Sequence, residues 1–201
     1  MPTEQIIARV RRALLLDSTA FDEVRDDTAF TPYALILAVI AAFAGGLGAF
    51  LWSSVILDHT DDFFLKATIL GTLFLVILWI AGMFLAYVIL AQLYRETVTA
   101  DGLLRVMSLA QIPFAISLFV FVPVLGFTLG VLAIAAMFFY SNFGIRSAYP
   151  AIDPLRVLIA VSAAFALWLV VMTILTTTSN PFAPGTFVYE WSSDLAHDVY
   201  R

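Results

Sequence analysis

Three polar side chains, Gln111, Ser141 and Asn142, stand inside long apolar stretches of the sequence. Amide and hydroxyl groups at membrane depth can line a polar pocket, and Pro113 is expected to kink the helix that carries Gln111. Transporters hold substrates beside discontinuous helices of this kind. Isolated polar groups more often bond to a backbone carbonyl or across helices. The three residues are therefore candidates for a pocket, with ordinary helix bonding as the favoured alternative.

The densest group of titratable side chains is the run Asp58, His59, Thr60, Asp61 and Asp62. Carboxylates with a histidine can hold a divalent cation, but a solvated acidic loop is the favoured interpretation. The chain has no cysteine, which excludes disulfides and thiolate chemistry. Without a nucleophile–base pair, a phosphate-binding loop or a metal-ligand set, the sequence predicts no enzyme, no catalytic residue and no cofactor or metal site.

The elements that carry these residues are dominated by apolar side chains. Of the 201 residues, 62% are apolar and 12% are charged, and the mean hydropathy is +0.99. A soluble fold of this size would have too little polar surface, which excludes a soluble enzyme, a disordered chain and a nucleic-acid-binding protein. Five uncharged stretches, spans 1 to 5, are predicted to cross about 30 Å of hydrocarbon as helices: residues 33–57, 67–94, 106–121, 124–145 and 157–178.

The sequence therefore predicts an all-α integral membrane protein in three parts. A lead-in covers residues 1–32, the five-span domain covers residues 33–178, and a tail covers residues 179–201. Spans 3 and 4 meet at Val122 and Pro123 with no polar loop between them. Because proline disfavours helix at the preceding residue, the chain should turn there. Two full spans are favoured over a shallower re-entrant hairpin.

The basic residues predict the orientation. Eight of the ten fall in segments on one predicted side, and the opposite side holds Lys66 and Arg201. The positive-inside rule places the N-terminus in the cytoplasm and the C-terminus outside. The eight are Arg9, Arg11, Arg12 and Arg25 before span 1, Arg95 and Arg105 after span 2, and Arg146 and Arg156 after span 4.

The lead-in has the pattern of a basic amphipathic helix. Within residues 4–16, Arg9, Arg11 and Arg12 lie outside one apolar arc, and Leu15 and Leu16 break the pattern at its end. The residues on the arc are Ile6, Ile7, Val10, Ala13 and Leu14. Such a helix is expected to lie in the headgroup layer with its arginines near anionic lipid; packing on its own bundle is the alternative. Thr19 and Asp22 match a capping box and predict a second short helix.

Small residues spaced four apart form the strongest pattern inside the spans. This spacing lets helix backbones approach closely, and packing within one bundle is favoured over a dimer seam. The residues are Ala41, Gly45 and Ala49 in span 1, Gly82 and Ala86 in span 2, Gly126 and Gly130 in span 4, and Ala160 and Ala164 in span 5.

The tail contains one apolar stripe. Trp191, Leu195 and Val199 recur every fourth residue among acidic neighbours. This spacing permits a short helix that docks on a partner or on the membrane, and a frayed terminus is the alternative.

The segment from residue 101 to residue 178 resembles the Yip family, five-span membrane proteins named for interacting with Ypt/Rab GTPases. Residues 101–110 are similar to the family's entry to the third span. Residues 112–113 and 122–126 resemble its two proline landmarks, and residues 143–149 resemble its polar exit from the fourth span. The resemblance implies five spans, a cytoplasmic N-terminus and, for a compact chain of the bacterial type, a bacterial inner membrane. The short lead-in argues against GTPase binding.

Two functions remain open from the sequence. No charged residue lies inside the five predicted spans, whereas pumps and proton-coupled carriers place ionisable groups there. The leading hypothesis is a non-enzymatic membrane scaffold, adaptor or accessory subunit, with the lipid bilayer and another membrane protein as partners and no nucleic acid. The alternative is a transporter or permeation protein for a small solute that uses the proline-broken third and fourth spans.

Overall fold

The computed structural model of the protein describes residues 3–56 and 64–177. Across these ranges the chain is helical and forms no strand. The predicted all-α architecture, with five helices of membrane-spanning length and composition, is confirmed. The five segments are Thr28–Trp52, Ala67–Leu93, Ala100–Phe121, Gly126–Ala148 and Pro154–Met172.

The described residues form seven α-helices. These are α1 (Thr3–Leu14), α2 (Ser18–Asp26), α3 (Thr31–Ile56), α4 (Gly71–Val88), α5 (Ala100–Ala110), α6 (Gly126–Ala148) and α7 (Pro154–Thr177). A short 3₁₀-helix (Thr28–Phe30) precedes α3, and a long one (Ile112–Phe121) follows α5. π-Helices at Phe64–Leu70 and Ile89–Leu93 extend α4 at both ends.

Span 3 begins earlier than predicted, and placing Arg105 in a loop was wrong. The side-chain oxygen of Thr99 accepts a hydrogen bond from the backbone N–H of Gly102 at 3.2 Å and caps α5. Span 3 therefore contains two charged residues, Asp101 and Arg105. A charge is an unreliable marker of a loop here because the partners of Arg105 come from a distant part of the chain.

Pro113 stands where the helix of span 3 changes type. Proline has no backbone N–H and cannot continue the α-helical ladder. After Pro113 the backbone hydrogen bonds span three residues instead of four, and the first is donated by the Phe114 N–H to the Gln111 carbonyl at 3.0 Å. At about 1.5 Å per residue in α5 and about 2.0 Å in the long 3₁₀-helix, the two together extend for about 36 Å. Span 3 is thus long enough to cross the hydrocarbon.

The chain reverses between spans 3 and 4 at the predicted position. The residue before Pro123, Val122, is extended, with φ −72° and ψ 118°. The next residue, Val124, has a φ of 70° and is 90% exposed. A Cβ on Gly126 would overlap the carbonyl oxygen of Val120, so only glycine fits this tight return.

Small residues let the spans pack against one another at Gly48 and Gly82. In α3, a Cβ on Gly48 would overlap the carbonyl oxygen of Ser117, so α3 lies directly against the long 3₁₀-helix. In α4, a Cβ on Gly82 would meet Ala164 of α7 at an ordinary 3.5 Å. The long 3₁₀-helix also packs on α6, which places the broken span between α3 and α6.

Two predicted short helices precede the spans, and α1, α2 and the turn that joins them are called the N-terminal platform. α2 forms where it was predicted, but its N-cap is Asp17, so the Thr19 capping box was wrong. The Asp17 carboxylate accepts a hydrogen bond from the Thr19 backbone N–H at 2.9 Å. Leu16, with a φ of 59°, reverses the chain between the helices.

Candidate functional site

The N-terminal platform is fixed to the bundle by the apolar side of α2. Phe21 and Val24 are completely buried, and α2 packs on α5 and α6. The Phe21 ring fills a notch at Gly144 of α6, where a Cβ would come within 2.8 Å of the ring carbons. The ring also meets Phe143 edge-on, with the ring centroids 5.8 Å apart. Glycine at position 144 is therefore what lets the platform approach α6.

Arg105 connects α5 to the C-terminal end of α2. Its Nε donates to the carbonyl oxygen of Val24 at 3.0 Å, its Nη2 donates to the carbonyl oxygen of Arg25, and its Nη1 donates to Thr31 Oγ1 at 3.0 Å. The last carbonyls of a helix lack intrahelical donors, and a cation complements their partial negative charge. Arg105 is only 4% exposed, and the carbonyls of the platform together with Thr31 supply acceptors for its guanidinium.

Arg25 forms a second connection, between α2 and the end of span 4. It donates to the carbonyl oxygen of Ala148, and its guanidinium lies 5.5 Å from the centre of the Tyr149 ring. Ion pairs to Asp22 and Asp26 hold it in place. The hydrogen bond from Arg25 lowers the pKa of the Asp26 carboxyl. The platform is therefore held by polar contacts on two helices as well as by Phe21.

The arginines of α1 do not all face the surroundings as the amphipathic pattern predicted. Arg9 pairs with Asp27 at 2.6 Å, and Arg12 pairs with Asp17 at 2.8 Å and with Glu23 at 3.0 Å. Arg11 is exposed. The exposure of Arg11 agrees with the amphipathic pattern. Arg9 and Arg12 instead form ion pairs with carboxylates of the same chain, and these pairs cannot be read from the helical periodicity. Hydrogen bonds from Thr19 and then from Arg12 lower the pKa of Asp17 to about 2.

The outward side of the platform is apolar. Ile7, Leu14 and Leu15 are 61%, 42% and 71% exposed. The hydroxyl of Tyr140 in α6 donates to the Leu14 carbonyl at 2.7 Å and holds this end of α1 against span 4. This group, the platform face, is thus presented at a fixed position beside the bundle.

Gln111 lines a small, partly open cavity, called the Gln111 cavity. It lies among α4, span 3, α6 and α7 and has a volume of about 30 Å³. Gln111 is 4% exposed and is the last residue before the long 3₁₀-helix.

Ser141 and Asn142 do not join Gln111. The Ser141 hydroxyl donates to the Met137 carbonyl at 2.8 Å, and the Asn142 amide donates to the Phe138 carbonyl at 3.1 Å. Neither residue lines the Gln111 cavity. The three polar residues therefore form no common pocket, because two of them satisfy the backbone of their own helix.

The small residues singled out by their spacing lie inside the bundle. Gly82 contacts Ala164, and Gly126 closes the return between spans 3 and 4. Gly126 is half-buried, and the others are buried: Ala41, Gly45, Ala49, Ala86, Gly130 and Ala160. These faces are used for contacts within one chain.

Several expectations fall outside the described residues. The acidic run at residues 58–62 and the tail residues Trp191, Leu195 and Val199 belong to this group. Among the described residues, no three His, Asp or Glu side chains are close enough to hold a metal ion.

Comparison with known proteins adds no family to this description: no family model matches the chain, and neither a curated protein nor a solved structure matches it. The Yip resemblance therefore stays a prediction.

Two features of these sites were not predicted from the sequence. Arg105 was counted as an ordinary loop arginine, although Thr99 three residues before Gly102 is a recognisable helix cap. The residues that line the Gln111 cavity with it come from four separate segments of the chain, and only the packing brings them together.

Proposed function

We propose that the chain is a non-enzymatic membrane scaffold or accessory subunit that binds another membrane protein through the platform face. One observation carries the proposal: Arg105, Arg25 and Phe21 fix the platform to the bundle, and its outward side keeps Ile7 and Leu15 exposed. A preformed surface loses little conformational entropy on binding. Because the small-residue faces lie inside the bundle, the proposed contact uses the platform face instead.

From the charge bias we propose that the N-terminus lies in the cytoplasm and the C-terminus outside. Ion pairs and hydrogen bonds bring the segments rich in arginine to one end, since Arg25 reaches Ala148 and Arg156 pairs with Glu96 at 2.6 Å. The positive-inside rule favours the cytoplasm for that end. A membrane-impermeant maleimide tests this in intact cells, because the chain has no native cysteine. Asp61→Cys should be labelled from outside and Ser18→Cys only after lysis; the reverse pattern contradicts the orientation.

Purification from the native membrane in mild detergents tests the scaffold function. The full chain should recover a stoichiometric protein partner, and the double variant Ile7→Glu with Leu15→Glu should lose it. Ser18→Glu is the matched control, because Ser18 is an exposed residue of the platform outside the platform face. Recovery of a bare monomer in several mild detergents contradicts the proposal, as does equal partner recovery by the double variant.

A second candidate function is the permeation of a small solute. It is favoured by the change of helix type in span 3 beside Gln111, which lines a cavity, since broken helices that line cavities are typical of transporter sites. Flux of a panel of solutes into liposomes tests it. Flux that is lost on Gln111→Leu would replace the scaffold proposal.

A further inference from the structure

The size of the Gln111 cavity limits what it can hold. Its volume of about 30 Å³ is small beside the several hundred Å³ of typical organic-ligand sites. A buried water needs about 10–15 Å³ by this measure and two to four polar partners. The cavity therefore has room for one or two waters or for a single ion.

The donors around the cavity are soft. Met83 of α4, Met107 of α5 and Met137 of α6 line it and are 5%, 3% and 6% exposed. Three of the five methionines of the chain therefore converge here from three helices. Thioether sulfur is a poor hydrogen-bond acceptor for water and a good ligand for soft metal ions, copper(I) above all. Because a methionine side chain has three rotatable bonds, the sulfur atoms can adjust to an ion.

The remaining lining favours a cation of low charge. Gln111 lines the cavity and supplies an amide oxygen. Trp79 and Trp168 also line the cavity, and indole rings attract cations through their faces. No charged side chain is among the lining residues. A monovalent ion loses less hydration free energy than a divalent one on entering such a site.

We propose that the Gln111 cavity binds a soft monovalent cation, copper(I), through the thioethers of Met83, Met107 and Met137 with the amide oxygen of Gln111 as a further donor. Hard cations such as Na⁺ and Mg²⁺ prefer several oxygen ligands, and one amide does not supply them. The site is separate from the platform face, so it goes beyond the scaffold function and does not depend on it.

Silver(I) is the probe, because it has the same charge and ligand preference and undergoes no redox change. The purified full-length protein in detergent is titrated with silver(I), bound metal is measured by mass spectrometry after gel filtration, and tryptophan fluorescence is followed in parallel. The wild type should bind one silver ion per chain with quenched fluorescence. The double variant Met107→Leu with Met137→Leu should bind at least tenfold more weakly.

Met172→Leu is the matched control, since Met172 is equally buried but does not line the cavity. It should bind silver(I) like the wild type. Leucine is close to methionine in volume, so the fold should persist; if the double variant does not fold, Met83→Leu alone must weaken binding. The proposal is wrong if the wild type binds no silver(I), or if silver(I) binding is unchanged by the cavity variants.

Discussion

Arg105 shows how one residue can join two parts of the chain. Its guanidinium meets two main-chain oxygens at the end of α2 and the Thr31 hydroxyl at the start of α3. A planar fork with five donors can satisfy several acceptors at once, which a lysine cannot do. The residue therefore determines whether the platform keeps its position on the bundle.

Arg105→Ala should release the platform. It leaves buried carbonyls without donors, and the expected loss of stability is about 2–4 kcal/mol. Trypsin cleavage at Arg11 and Arg25 should speed up while the five spans stay inserted. The cleavage rate of Arg105→Lys should lie between those of the wild type and Arg105→Ala. Arg146→Ala, at an exposed position, should be cleaved like the wild type. Unchanged cleavage of the Arg105→Ala variant would show that Phe21 and the contacts of Arg25 hold the platform without Arg105.

Asp17 makes the platform sensitive to acid. Its pKa is about 2 in the folded protein against 3.8 for an ordinary aspartate, chiefly because Thr19 and Arg12 donate to the carboxylate. Because the folded pKa is the lower one, the ionised carboxylate stabilises the fold above about pH 4, and this contribution is lost as the pH falls towards 2.

A spin label on Leu15→Cys reports this loss as increased mobility. We expect mobility to rise between about pH 4 and pH 2, and the rise to be smaller when Asp17→Asn is added. The same pH profile with and without Asp17 would show that another carboxylate carries the effect.

At the scale of elements, span 3 is the least regular part of the bundle. Ten residues of 3₁₀-helix are unusual, because the hydrogen-bond geometry is poorer than in an α-helix. Close packing against α3 compensates at Gly48, where the two backbones nearly touch. Pro113 and the turn at Pro123 were visible in the sequence. The helix type was not, because it depends on what packs against Ile112–Phe121.

Gly48→Ala should therefore destabilise the protein, whereas Gly82→Ala should be tolerated. The first adds a methyl group that overlaps the Ser117 carbonyl; the second adds one at contact distance from Ala164. Overpacking of this kind costs about 1–3 kcal/mol. Thermal unfolding in detergent should show a lower midpoint for Gly48→Ala alone. Equal midpoints would mean that the long 3₁₀-helix can shift away from α3 without loss.

At the scale of the whole molecule, the number and class of helices were predictable because lipid imposes length and apolarity on every span. The docking of the platform was not predictable. Phe21 and Val24 have the spacing of any amphipathic helix, and only the notch at Gly144 shows what covers them. Long-range contacts such as Arg105 to α2 leave no periodic signal. The convergence of three methionines at the Gln111 cavity likewise leaves no periodic signal in the sequence.

Docking of the tail on a partner stays a prediction from the sequence. If residues 179–201 dock on a partner, Trp191→Ala should weaken association by about 2 kcal/mol or more, as a buried aromatic anchor does. Membrane insertion should not change. Equal partner recovery by the full chain and by a chain truncated after Thr178 would show that the tail takes no part.

Site-specific photo-crosslinking in native membranes tests the central claim, that the platform face binds another membrane protein. A photoreactive amino acid replaces Leu15, which is 71% exposed on that face, or Ser18 on the polar side of the platform. The account predicts one crosslinked protein product of defined mass from position 15 and none from position 18. Crosslinks to lipid alone from position 15, or the same product from both positions, would contradict it.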